Sequence, residues 1–275
     1  MRVAILAYHS QNIAGREYGS NDHVALRADL ASLARSGLRL ASLRAVVDAL
    51  DGAVSVASVD RCVAITCDDG TIFDWDDAEH PFHGPQASFA NLIAAQGAVP
   101  PFALTSFVIA SREARAQIDQ GCYLGYPFSS DTWWSAAARS GRVAIENHSW
   151  DHAHASVSRI AQREQRKGTF MGIDNFDDAQ AQVGQAADFI DAQVGVGRTT
   201  LFAYPYGDVP PYLAEEYFPR FRHLHRVRAA VTDRPGVVTE GSDRWRLPRF
   251  VCGMHWRTSE DFEALIKDAI GEVAA

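Results

Sequence analysis

Two short stretches of the chain hold the side chains best suited to chemistry. Asp68-Asp69-Gly70 follows the apolar run Cys62 to Cys67, which puts two adjacent carboxylates at the end of a strand-like segment. Such carboxylates repel each other and lose hydration, and a cation beside them offsets that cost. Asp-Gly is also a common turn dipeptide, so the pair alone reads equally as a turn or as a cation site. In the second stretch, His148 and His152 are spaced i, i+4 within His148-Ser149-Trp150-Asp151-His152. On one helical turn both imidazoles face the same way, a means of presenting two nitrogens to zinc or a similar ion. A chain with ten histidines can also place two surface ones at that spacing by chance. His154 would not share the face of His148 and ranks behind His152 as a ligand.

The two signals reinforce each other. Asp69, His148 and His152 make a two-His, one-carboxylate triad for one divalent metal ion, with coordination positions left open as a catalytic metal requires. Zinc is the first expectation from those ligand types, while nickel, cobalt and iron accept the same set. Asp68 is then left beside the ion as a proton acceptor. Farther along, Tyr204-Pro205-Tyr206-Gly207 closes another apolar run. Proline and glycine there fix a tight loop able to aim the Tyr206 backbone N–H at a developing oxyanion, although the same residues make an ordinary β-turn.

These groups need elements to bring them together. Short apolar, β-branched runs recur at Val3 to Ala7, Cys62 to Cys67, Phe102 to Ile109, Val143 to Glu146, Leu201 to Tyr204, Ala229 to Thr232 and Arg249 to Cys252. Helical patterns lie between them: Leu26, Leu30 and Leu33 closed by Gly37, then Leu43 to Leu50, Phe89 to Ala95, Thr132 to Arg139, Ala179 to Val194 and Phe262 to Ile270. Near-continuous apolar strands alternating with helices predict a parallel sheet buried on both faces. The fold class expected is α/β, a distorted (β/α) barrel of about seven parallel strands in one domain, 1–275. Chemistry in such a barrel belongs at the C-terminal strand ends, where both acidic and histidine signals fall. No glycine-rich nucleotide-binding motif follows any strand.

Composition narrows the function classes. With 47% hydrophobic and 22% charged residues the chain is globular rather than disordered or fibrous. A net charge of −8 argues against nucleic acid as a partner, and no apolar run is long enough to span a membrane. The apolar start, Val3 to Ala7, ends at Tyr8-His9, too short and polar for a secretory signal, which predicts a cytoplasmic protein. The four cysteines form no C-x-x-C pair and read as reduced core thiols.

In these residues the chain resembles the polysaccharide deacetylase family, carbohydrate esterase family 4. The family's T-F-D-D-G motif is matched by Thr66-Cys67-Asp68-Asp69-Gly70, its H-[ST]-x-x-H by His148 to His152, and its P-Y-G loop by Pro205-Tyr206-Gly207. More narrowly, Leu6-Ala7-Tyr8-His9 and Leu247-Pro248-Arg249-Phe250 resemble the branch with a rearranged barrel that includes biofilm poly-N-acetylglucosamine deacetylases. The resemblance implies metal-dependent removal of N-acetyl or O-acetyl groups from a carbohydrate, with His9 as general acid. His255, late in the chain where unrearranged members keep their acid, is the rival. The arginine that commonly precedes P-Y-G is replaced by Phe202-Ala203, leaving Arg249 to supply that charge to Asp68. Cys67 stands where the family has Phe. Trp75, Trp133, Trp150 and Trp256 are candidate sugar-stacking surfaces or core residues, with Trp150 the foremost candidate for the site. Asp74 to His83 reads as an extra loop beside the site, able to shape substrate access. Two other readings are carried: opening of a cyclic imide or ureide, a small amide substrate suited to a cytoplasmic address, and a non-catalytic carbohydrate-binding relative.

Overall fold

A computed structural model of the protein describes residues 1–97 and 99–271, so residue 98 and residues 272–275 of the expected domain lie outside the described residues. Seven strands build the main sheet: β1 (Val3–Tyr8), β2 (Cys62–Cys67), β3 (Leu104–Val108), β4 (Val143–Asn147), β5 (Leu201–Ala203), β6 (Ala229–Val231) and β7 (Phe250–Val251). Their order across the sheet is β7-β1-β2-β3-β4-β5-β6, and every neighbouring pair is parallel. A short strand at Arg39–Leu40 also pairs with β2 in parallel. The sheet curls into a half-barrel whose edges one segment joins. Leu247 bridges Val231 of β6, and three residues later Phe250 pairs with Leu6 of β1. The expected distorted (β/α) barrel is the observed fold.

The sequence makes strands here because alternate residues of each run have apolar surroundings on both faces. Val3 and Ile5 of β1 join Cys62 and Ala64 of β2, Phe107, Leu201 and Val231 in one cluster with Leu43, Val46 and Val47 of the helix Leu43–Leu50. Ala4, Leu6 and Tyr8 with Val63, Ile65 and Cys67 face the other way, against the helices Asp22–Arg35, Phe89–Ala94, Trp134–Ser140 and Ser259–Ile270. Burying one aliphatic side chain such as Ile65 contributes about 1.5–3 kcal/mol, so these paired layers hold the strand ends stiffly.

Helix boundaries follow caps. The first helix begins at Asp22, ahead of its leucine pattern, because the Asn21 side chain accepts from the His23 and Val24 N–H groups. A helix at Arg112–Cys122 carries no apolar stripe that sequence periodicity detects; its buried face includes Arg115 and Asp119, both hydrogen-bonded to the Ser129 backbone. The expected Ala179 to Val194 helix is interrupted by a π turn at Gln180–Gly184. All four cysteines are free; Cys62, Cys67 and Cys252 are buried, but Cys122 is exposed, which corrects its reading as a core thiol. Among the described residues no helix is long and apolar enough to cross a membrane.

Candidate metal centre

The end of β2 is shaped by two consecutive left-handed residues, Asp69 (φ 72°) and Gly70 (φ 73°). Left-handed backbone costs a side-chain-bearing residue roughly 1–2 kcal/mol, and Asp tolerates it better than most. Gly70 has no alternative, since a Cβ there would lie 2.5 Å from Val108 Cγ1 and 3.0 Å from Val108 Cα. The turn separates the two carboxylates: Asp68 is buried and meets Arg249, while Asp69 meets the histidines.

The histidines come from a loop after β4 rather than from the expected helical turn. Ser149 (φ 72°), His152 (φ 61°) and Ala153 (φ 47°) are all left-handed, which no α-helix permits. Side chains hold this path: Ser149 N–H donates to Asn147 Oδ1 at 2.8 Å, and His152 N–H to Ser149 Oγ at 2.9 Å. Asp151 receives the Ala153 and Ala161 N–H groups and the Gln182 amide, so it supports the loop. His148 Nδ1–H donates to the Ala203 carbonyl at 2.9 Å, which leaves Nε2 as the lone-pair nitrogen.

The result is a convergence of three ligand atoms. His148 Nε2 and His152 Nε2 lie 3.7 and 3.6 Å from Asp69 Oδ1, and the three residues' ligand atoms all fall within 4.8 Å of one another. Ligands about 2.1 Å from a tetrahedral ion stand about 3.4 Å apart, so the group fits such an ion with little movement. Burial and the neighbouring His148 push the His152 pKa down to about 3, holding its imidazole neutral as a ligand must be.

Asp68 sits in a different environment. Arg249, fully buried, grips it bidentately, Nη1 to Oδ1 at 2.8 Å and Nη2 to Oδ2 at 2.7 Å. Nη2 also reaches Asp233 Oδ1 at 2.7 Å. Burial alone would raise the Asp68 pKa, but the Arg249 guanidinium, His148 and His9 outweigh it and hold the carboxyl below the usual range.

A cavity of about 230 Å³ opens over these groups. His9, Asp68 and Asp233 line it beside the triad; Ile109, Ile118 and Tyr123 form an apolar side; His154 and Tyr206 complete it. Tyr206 (φ 60°) is the strained residue between Pro205 and Gly207, and its ring stands edge-on to His152 at 4.4 Å. A Cβ on Gly207 would meet Asp233 Cβ at 2.7 Å, so the loop approaches as closely as only glycine allows. Burial opposes a charge on His9, yet Asp69, Asp68, Asp22 and Asp233 raise its pKa above the ordinary value.

Not every expected residue arrives. His255 is not among the cavity residues; its Nδ1 accepts the Val251 N–H at 2.8 Å. None of the four tryptophans lines the cavity. Trp133 and Trp256 are core, and Trp150, its backbone N–H tied to the Gln182 carbonyl, packs edge-on against Phe189. In the stretch Asp74 to His83, Asp74 is buried and receives Ser10 and Ser106, and Ala78–His80 starts a small hairpin with Gly84–Gln86. His154 lines the cavity but stands outside the triad. Asp233 and Tyr123 escaped the sequence reading; Asp233 follows β6, so the strand-end rule applied to Asp68 would have found it.

Residues 56–217, more than half the chain, match the family described as Polysaccharide deacetylase. His9 and Arg249 fall outside that match. No curated protein matches the chain in sequence. Among solved structures it is similar to IcaB from Ammonifex degensii, with TM-score 0.66 and 16% identity, covering 97% of each chain. The Streptococcus pyogenes deacetylase PplD in complex with acetate gives TM-score 0.64 and 14% identity over 97% of this chain and 98% of that one. For the BpsB deacetylase domain from Bordetella bronchiseptica the values are 0.59 and 14%, over 91% and 95%.

Proposed function

The chain belongs to the polysaccharide deacetylase family, and from that premise we propose that it is a metal-dependent hydrolase removing acetyl groups, foremost N-acetyl, from a carbohydrate. The observation that carries this reading is the charge arrangement in one cavity. Asp68, Asp69 and Asp233 face it against the guanidinium of Arg249 and the imidazole of His9, and the carboxylate charge adjoins the ring nitrogens of His148 and His152. A divalent cation is the partner such a set suits.

Asp69, His148 and His152 are the residues that would hold the ion, with zinc first and nickel, cobalt or iron alternatives. When bound, the ion supplies a Lewis acid that lowers the pKa of water and polarises a carbonyl. The chain's own residues do the rest. Asp68, kept ionised by Arg249, takes the proton of the attacking water; each carboxylate oxygen keeps a lone pair for it beyond the bond to Arg249. The Tyr206 N–H is assigned to the oxyanion that develops on the acetamide oxygen, a contact typically worth about 3–4 kcal/mol in the transition state. His9, beside the same cavity and with a raised pKa, gives its proton to the departing amine nitrogen, without which that nitrogen is a very poor leaving group.

The test is a substrate panel run on chelator-treated protein with zinc or cobalt restored. Acetate and free amine released from N-acetyl sugars or chito-oligosaccharides, only with metal, are the expected products. Ring opening of a hydantoin-type amide without acetate release contradicts the substrate, and no turnover with tight sugar binding contradicts catalysis altogether. In the same assay His9→Ala lowers kcat by about 10²–10⁴-fold with metal retained, and His255→Ala leaves turnover near that of the unaltered protein.

A further inference from the structure

The loop that carries His9 delivers a second side chain to the site. Gln11 Nε2 donates to Asp69 Oδ2, across 58 residues of sequence. The amide cannot be turned round, because its carbonyl oxygen would then face a carboxylate. Its Oε1 therefore points away, and it is buried with no hydrogen-bond partner among the described residues. Leaving a buried acceptor unpaired is costly, so the amide is committed to Asp69 at the expense of its other end.

The loop itself is fixed in advance. His9 N–H donates to Asp22 Oδ2 at 2.8 Å, His23 Nε2 bonds the Ser10 carbonyl at 2.8 Å, and the Ser10 hydroxyl donates to the buried Asp74. Asn12 N–H closes on the His9 carbonyl at 2.9 Å, and Asp22 N–H on the Asn12 carbonyl at 3.0 Å. Gln11 is thus held on a rigid turn, as a group that orients another must be.

We propose that Gln11 is a positioning residue for the metal centre: it occupies Asp69 Oδ2 and so restricts Asp69 to one ligating oxygen, Oδ1, aimed at His148 and His152. This rests on the reading of Asp69, His148 and His152 as metal ligands. Without Gln11 the Asp69 carboxylate is free to rotate, so Oδ1 loses its fixed aim at a cost in affinity, and Oδ2 is free to enter the coordination sphere, raising the coordination number. Outer-shell partners of this kind are typically worth 10–100-fold in metal affinity or activity.

The experiment is titration of chelator-treated protein with zinc by calorimetry and with cobalt by visible absorption, comparing the unaltered chain, Gln11→Met and Gln11→Ala. Gln11→Met keeps the length and removes the donor; Gln11→Ala is the second variant should the first fail to melt as a folded protein. The expected result is zinc binding weaker by about 10-fold or more, with cobalt bands of lower intensity as the coordination number rises. Zinc affinity and cobalt bands like those of the unaltered protein overturn the role of Gln11 alone. If the unaltered protein binds neither ion, the metal reading fails and this role with it, and an Asp69→Asn control that matches the unaltered protein reports that failure separately.

Discussion

Two buried acidic sites, one on either side of β1, treat the same side chain in opposite ways. Asp29, in the helix Asp22–Arg35, is surrounded by neutral donors: the Tyr8 hydroxyl at 2.8 Å, the Tyr18 hydroxyl and Trp256 Nε1 at 3.1 Å. Burial raises its pKa to about 6 in spite of them, so this carboxyl takes up a proton at a pH where an ordinary aspartate is still ionised. Asp68 is as deeply buried but is answered by a full charge from Arg249, and it stays ionised. Beside it Asp69 has one oxygen on Gln11 and the other on nothing but imidazole nitrogens. A carboxylate whose needs are met by neutral donors belongs to the packing. One that shares a cavity edge with two histidine nitrogens and no guanidinium of its own is the candidate ligand for a cation.

The comparison is broken most severely by removing the charge at Asp68. Asp68→Asn keeps the shape of the site but cannot accept a proton, and kcat falls by about 10²–10⁴-fold with zinc binding retained; steady-state kinetics beside a zinc titration checks this. A smaller effect comes from Arg249→Met, which leaves Asp68 buried without its counter-charge. Stability falls by about 3–5 kcal/mol, read as a lower urea midpoint at unchanged slope. The smallest effect sharpens the other half. Because the folded pKa of Asp29 is raised, the folded chain holds that proton more tightly than the unfolded one. The stability this contributes is full below about pH 4 and is lost as pH rises through about 6. Asp29→Asn therefore loses less stability than the unaltered protein between pH 4 and 7, by up to about 3 kcal/mol, with metal binding unchanged. Urea unfolding at a series of pH values measures it.

Much of this is legible in the sequence. Cys62–Cys67 and Leu43–Leu50 fall where the apolar pattern and flanking residues put them, because both elements are chosen by burial along one short run. The Asp69, His148 and His152 grouping followed from residue type and strand-end placement. What the sequence hid is decided over longer distances. The His148–His152 loop takes left-handed backbone at Ser149 and His152 because Asn147 and Ser149 side chains pay for it locally, so helical spacing misdescribed it. Trp150 turns outward because Gln182, far along the chain, holds its backbone. Gln11 belongs to no motif, and its role exists only once β1 and β2 lie side by side. The helix Arg112–Cys122 buries polar side chains that no hydrophobic count registers.

Zinc-edge anomalous diffraction from crystals grown with zinc locates the ion relative to Asp69, His148 and His152. A single strong peak is expected about 2.0–2.2 Å from Asp69 Oδ1, His148 Nε2 and His152 Nε2. Zinc bound elsewhere in the same crystals, with no peak among those three atoms, would contradict it.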